Sequence, residues 1–560
     1  MEQSRLLIAI VLSLVVFLAW QFIFSPKEAE RQAAKKVAAP AATQPQPVKD
    51  QETPYRPETE KPETEKLVPA EQPAVEATTP QIARTLTVDT PLYQAKISEN
   101  GAVFYSFLLK KYHEKVQKDS PLKQVLTDTE TLGVGEIGFA GKSISGLENA
   151  VFAADLASAQ AQITDGPRRI HFLWHSADGV AIEKTYQFAP DSYVVDLEVT
   201  VKNGSSRSIQ DRVFVALNGK APAAKRRYAF EGPSAYVNDK LEEIEVKKIK
   251  DKSNFDGKIK WIALQSRYFM SGLIPEQIED TSLQLALKSE NVLTARYLQA
   301  EKAIQPGTQQ TYKYRLFIGP KITQELKKVG NDLDKLVNFG WFDFIAKPCV
   351  WLMNLFYSVI PNYGVAIIIL TMLVKLILWP LGTKSYKSMS EMKRLQPLMK
   401  EIREKYKNDK KKMNEEVMGL YRTYKINPLG GCLPMIVQLP VFFALYRMLY
   451  EAIELRHAPF FLWINDLSAP DRLFHFGFSI PFMEPPYGIP VLTLIMGATM
   501  LLQQKMSPPM GDATQAKMMM FMPLVFTVIF INFSSGLVLY WLINNILSIA
   551  QQYYTQKKFA

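Results

Sequence analysis

The chain has 560 residues, 47% of them hydrophobic, and a formal net charge of +11. That length allows several domains. The apolar residues gather in one run at the start and in others after residue 340, which excludes a wholly water-soluble protein and implies a membrane protein with a large soluble insert.

The first run, Leu6 to Phe24, is interrupted only by Ser13 and Gln21 and ends in WQFIFSP, with aromatic residues where a membrane interface belt belongs. It is read as a retained signal anchor, residues 1–26. The competing reading is a signal peptide cleaved among the alanines near Ala33. Residues 27–84 hold nine prolines and repeat PETEK in tandem. Such a segment buries too little apolar surface to offset its ordering entropy, so it is a disordered, extended tether.

Period-two patterning begins near residue 85. In YVVDLEVTVKNGSS, Val195, Leu197, Val199 and Val201 alternate with Asp196, Glu198, Thr200 and Lys202, and TYKYRLFIGP from residue 311 behaves similarly. Many short strands with turn signals between them predict an all-β sandwich over 85–340, closed by a connecting amphipathic helix at Lys321–Phe339. It contains no cysteine and needs no disulfide in an oxidising compartment.

Residues 341–361 are aromatic, amphipathic and interrupted by Pro348, which predicts a helix lying along the membrane surface. Five spans are expected in a core over 362–553, at 362–382, 430–450, 489–503, 518–533 and 535–553, giving six with the anchor. Between the first two core spans, Thr383–Lys425 has 13 Lys and Arg against 6 Asp and Glu, whereas Ala452–Gly488 has two Arg against four acids. The positive-inside rule then places both termini and the 383–426 loop in the cytoplasm and the β-domain outside. This distribution accounts for most of the charge without nucleic acid. It also separates Cys349 from Cys432, both read as apolar fillers.

Within 383–426, Met389, Met392, Met399, Ile402 and Tyr406 recur at helical spacing. After Asn408-Asp409, Met413, Val417, Leu420 or Tyr421 and Tyr424 do so again, which predicts a helical hairpin. Its charged faces are either solvated or a patch for lipid headgroups or ribosomal RNA. Eighteen of twenty methionines lie between Met353 and Met522; they either fill gaps in a bundle or provide an adaptable apolar surface.

Enzyme signatures are scarce. The chain has no GxxxxGK[ST], no HExxH and no cysteine cluster, so no cofactor or metal is expected. Polar residues do recur in the spans: Gln438, Gln503, Asn532, Asn544, Asn545, and Thr371 one turn before Lys375. A lysine at a helix centre costs about 2.5–3.5 kcal/mol. Lys375, about 10 Å from Gly382 along the helix, is read either as a snorkelling anchor or as the mark of a water-containing cavity in the inner half of the membrane.

NPLGGCLPMIVQLPVFFALYRML (Asn427–Leu449), QKMSP (Gln504–Pro508) and SGLVLYW (Ser535–Trp541) resemble the YidC/Oxa/Alb membrane protein insertases, and the full layout resembles the Gram-negative form. The resemblance implies an inner-membrane protein that inserts newly made membrane proteins, alone or beside the Sec translocon, without a cofactor. It implies a hydrophilic groove open to cytoplasm and lipid, and a periplasmic sandwich similar to mutarotase folds. By motif, the groove residues fall on Lys375, where the family has arginine, and on Thr371, Gln438, Tyr540 and Trp541. The slide that clients follow includes Phe442. The short tail, 554–560, lacks the basic extension that some members use for ribosomes, so tail-mediated ribosome docking is not expected. Two rival readings are a secondary transporter, for which no repeated halves are evident, and a membrane-anchored carbohydrate-processing enzyme, which leaves five spans unexplained.

Overall fold

The computed structural model describes residues 83–117, 119–126, 133–222, 229–288, 291–424, 433–507 and 513–559. The expected signal anchor, all but the end of the tether, Cys432 and the start of the 430–450 span lie outside these residues.

Val195, Leu197, Val199 and Val201 are all buried, with Asp196 and Lys202 exposed on the opposite face. Alternation of this kind places one face of a strand on the core. Their strand, Val194–Asn203, pairs directly with the other strand read from the sequence, Gln309–Pro320, setting Val195 opposite Leu316 and Leu197 opposite Tyr314. Eighteen strands form one continuous set of pairings, folded into two layers through the long strand Asn254–Gln265. Its first half pairs with Asp280–Lys288, and its second with Gly232–Val237 and Phe269–Pro275. The inner faces interlock through aromatic residues: the Phe104 ring meets Tyr186 edge-on at 4.9 Å.

One inward position of this core is a lysine. The strand Val180–Phe188 alternates in burial along its whole length, and Lys184 occupies an inward place. Its ammonium donates to the carbonyls of Gly101, Ala102 and Gly135 at 2.9, 2.6 and 2.7 Å. Burial pushes its pKa down to about 7, opposed by the Glu136 charge.

The expected connecting helix is not continuous. Helix α1, Thr323–Val329, stops at Gly330, and a 3₁₀ turn follows at Leu333–Leu336. Gly330, Asn331 and Asp332 all have positive φ, which terminates a helix.

Helix α2, Asp343–Val359, buries Ala346, Cys349 and Met353 and exposes Phe344, Trp351, Leu355 and Val359. The chain then enters α3, Tyr363–Ile377, and α4, Trp379–Arg394. The span expected at 362–382 is therefore bent, by 64° at the break between them. Pro380 in the first turn of α4 has no N–H to continue the helical ladder and crowds the residue before it. This bent pair is long and apolar enough to cross a bilayer; among the described residues no single helix is. Helices α5, Gln396–Lys405, and α6, Lys410–Thr423, follow, so the first arm expected of the hairpin is divided at Leu395, just before Gln396-Pro397.

The chain divides into two compact units, and the described part of one is Met399–Leu420. There the chain turns over Tyr406–Asp409, where Asp409 Oδ1 accepts from Lys412 N at 3.0 Å. The Lys405 and Lys412 ammoniums lie over the Tyr406 ring.

The other unit contains α7, Leu433–Glu451; α8, Val491–Met506; α9, Ala513–Phe530; and α10, Ser535–Phe559. Two expectations change here. Asn532 lies beyond the end of α9, in the turn before α10, where it pairs with the backbone of Glu484 and Phe482. The last helix runs through the expected tail to Phe559. The methionines divide between both readings, with Met353, Met448 and Met496 buried and Met372, Met518, Met520 and Met522 exposed. Cys349 is buried and free.

The β-domain is seated on the end of α7. Arg267 donates through Nε to the Tyr450 carbonyl at 2.9 Å and stacks on the Tyr450 ring at 3.8 Å. Ile453 packs into the sandwich core.

Candidate functional site

Helix α10 carries a polar row through an otherwise apolar bundle. Tyr540, Asn544, Ser548 and Gln551 succeed one another at intervals of four, four and three, which keeps them on one face of a helix. Helices α3, α4 and α7 each meet this row with polar groups.

From α3, Lys375 Nζ donates to Ser548 Oγ at 2.6 Å, and Ser548 donates in turn to the Asn544 carbonyl at 2.7 Å. The lysine is thus held across the bundle on α10. From α7, Gln438 Nε2 donates to Asn544 Oδ1 at 3.1 Å, and Gln438 also pairs with the Tyr540 hydroxyl. From α4, Tyr386 hydrogen-bonds Ser548 and also reaches Gln503 of α8. Gln551 Nε2 donates to the Trp379 carbonyl at 2.8 Å. Gly382 makes that approach possible, since a Cβ there would lie 2.8 Å from the Gln551 amide.

Four of the residues singled out in the sequence therefore meet on α10: Lys375, Gln438, Tyr540 and Asn544. Thr371 shares the Lys375 face of α3 but is buried, and its hydroxyl donates to the Ile367 carbonyl at 2.7 Å, a local back-bond within the helix. Phe442 and Trp541 form a separate aromatic group. The Phe442 ring meets Trp541 edge-on at 5.0 Å, and Phe530 also meets the indole edge-on at 5.2 Å. The Trp541 indole N–H is buried without a hydrogen-bond partner.

Sequence reasoning missed Ser548, Gln551 and Tyr386. The signal was present in the spacing of α10, where the row continues the period set by Tyr540 and Asn544. Reading Gln551 and Gln552 as the end of a span hid it: both are fully buried, as is Thr555. Among the described residues no group of three or more His, Cys, Asp or Glu could hold a metal.

Residues 85–352 match the family model described as the YidC periplasmic domain, and residues 355–560 match the 60Kd inner membrane protein model. The chain is 41% identical over 565 residues to the membrane protein insertase YidC of Syntrophus aciditrophicus, covering 99% of each. The chain belongs to the YidC family. The YidC insertase of Syntrophobacter fumaroxidans is 40% identical over 570 residues, covering 99% of this chain and 100% of that protein. Among solved structures, an active YidC insertase crystal structure with its first transmembrane domain resolved is 19% identical, covers 85% of this chain and 93% of its own, and has a TM-score of 0.36. A galactose mutarotase related enzyme from Lactobacillus acidophilus covers 42% of this chain and 97% of its own at 11% identity and a TM-score of 0.30.

Proposed function

We propose that this YidC-family chain is a membrane protein insertase and folding chaperone of the bacterial inner membrane, and not an enzyme. The polar row on α10 carries this reading. Buried and half-buried amides and hydroxyls along one face of α10, met by the half-buried Lys375 ammonium, provide a polar path within the bundle. Gln551 Oε1, Gln552 Oε1 and Thr555 Oγ1 are buried without a protein partner. Each such atom left dry costs about 1–3 kcal/mol, so the row favours water or the polar groups of a client.

In this mechanism a client's short hydrophilic segment enters from the cytoplasm beside Lys375, Gln438 and Tyr540, where these groups reduce its desolvation cost. Its apolar segment moves along Phe442 and Trp541 toward lipid. Burial of that segment, about 25 cal/mol per Å² of apolar area, drives insertion. Nascent membrane proteins are the clients and membrane lipids the receiving phase, and the protein acts alone or beside the Sec translocon, with no tail-mediated docking to the ribosome. Thr371 supports the α3 wall without contacting the client. Depleting the protein in cells should block insertion of small one- and two-span proteins; unchanged insertion at full depletion would overturn the reading.

The proposed topology has six spans, both termini in the cytoplasm and the β-domain in the periplasm. Cysteine labelling of intact cells should reach Ser192→Cys and miss Asn408→Cys. The reverse pattern would refute this orientation.

A further inference from the structure

The loop between α7 and α8 has the polarity of a water-soluble segment turned inside out. Asp471 and Arg472 are 3% and 7% exposed. The Arg472 guanidinium donates to the Pro486 and Ile531 carbonyls at 2.9 and 2.8 Å, and Asp471 accepts from the Trp463 indole and from Leu492 N. Asp466 accepts from His457 N at 3.0 Å and Ser468 N at 2.8 Å. Between 452 and 490 the only ionisable residues left exposed are His475 and Glu484. The large apolar side chains point the other way: Leu462 is 86% exposed and Phe482 82%, with Phe461, Phe474 and Phe478 all above half.

This exposure is held in place by the backbone. Leu462, Phe474 and Phe482 have φ of 58°, 57° and 63°, a left-handed conformation unfavourable for bulky residues and sustained only where the surroundings fix it. The buried Asp471 and Arg472 contacts supply that fixation, together with the short antiparallel pairing of Leu473–Phe476 with Tyr487–Ile489. Exposed apolar side chains on a rigid support mark an interaction surface.

We propose that Leu462, Phe474, Phe478 and Phe482 insert into the outer leaflet and fix the depth of the insertase core, an inference that rests on the topology proposed above. Lipid is the occupant because exposed apolar residues also stand on α8, which the loop enters, and on α9, whose C-terminal end the loop contacts through Arg472 with Ile531 and Phe482 with Asn532. Leu494 and Ile495 open α8, Val528 and Ile529 close α9, and all four are exposed. Phenylalanine rings beside satisfied backbone suit the interfacial zone, where an amphipathic surface embeds by apolar area. The patch offers almost no charge with which a protein partner could be matched.

The test uses the full-length protein with Cys349→Ser and Cys432→Ser, reconstituted in phosphatidylethanolamine–phosphatidylglycerol vesicles. An environment-sensitive fluorophore is attached at Phe482→Cys or Leu462→Cys, with Lys142→Cys on the β-domain and Val528→Cys on α9 as references. Nitroxide lipids labelled high on the acyl chain should quench the 482 and 462 probes severalfold more than the 142 probe, and aqueous iodide should quench them severalfold less. Iodide quenching equal to that at 142 would overturn the inference while lipid quenching at 528 keeps the topology intact. Loss of lipid quenching at 528 would instead indict the topology. Protection from both quenchers in cell-derived membranes would also overturn the inference, in favour of a protein partner.

Discussion

Lys375→Glu is expected to reduce insertion of clients with acidic translocated segments about tenfold, equivalent to about 1.4 kcal/mol. Lys375→Arg should retain function. The Lys375 ammonium sits 2.6 Å from Ser548 Oγ, at a fixed place on the polar row. Glutamate there reverses the charge presented to an acidic segment, whereas arginine keeps the cation and adds donors that reach the same row. Lys375→Ala removes the cation and leaves the Ser548 hydroxyl, so its defect should be graded with client charge, because water on the proposed polar path would screen any single pairing. Ser548 supplies a second handle. Ser548→Ala should lower the dependence on client charge without abolishing insertion, and Ser548→Thr should restore it, since only the hydroxyl holds the ammonium across the bundle. In vivo insertion of a client series from neutral to acidic tails measures both. Equal insertion by the native protein and Lys375→Ala across the series would reduce the lysine to an anchor.

The sandwich was legible because its chemistry is local. Alternation in Val194–Asn203 and Gln309–Pro320 identifies two strands that prove to be neighbours, since a two-residue period determines which face each side chain takes. The break at Leu378 was legible in principle, since Pro380 stands within the apolar stretch, but hydropathy averages over a proline and reads one span. The polar row was legible only in part. Lys375 and Gln438 stand out as polar residues among apolar ones, yet what they touch depends on the rotation of α10. Ser548 and Gln551 acquire meaning only when that helix is seen to continue to Phe559. The loop at 452–490 was read for its charge count alone. Nothing in that count reveals that its charges turn inward and its phenylalanines outward, which follows from the long-range contacts of Arg472 with Ile531 and Pro486.

Lys184→Met should produce the largest loss of stability in the β-domain, about 3–5 kcal/mol. The strand Val180–Phe188 places this residue in the inward register, and methionine matches the aliphatic stem. What methionine cannot supply is the three donors that the carbonyls of Gly101, Ala102 and Gly135 accept. Those carbonyls belong to two chain segments far apart in sequence, so the ammonium ties them together, and its loss takes this donor from the Gly101 and Gly135 carbonyls while Ala102 keeps the Tyr186 hydroxyl. For a domain of this size the loss corresponds to a lower unfolding temperature by roughly 10 °C. A pH series separates the charge from the packing. The folded-state pKa lies near 7, well below the ordinary lysine value. Between about 7 and 10.5 the unfolded chain therefore binds a proton that the folded chain does not, and this term raises stability as pH rises through that window. It is absent below pH 7 and flat above 10.5, and Lys184→Met should lack it. Thermal unfolding of the purified full-length protein in detergent, followed from neutral to alkaline pH, reads both effects. An unchanged midpoint at neutral pH would show that the carbonyls find other donors. Parallel pH profiles for the native protein and the variant would show that Lys184 keeps its proton throughout.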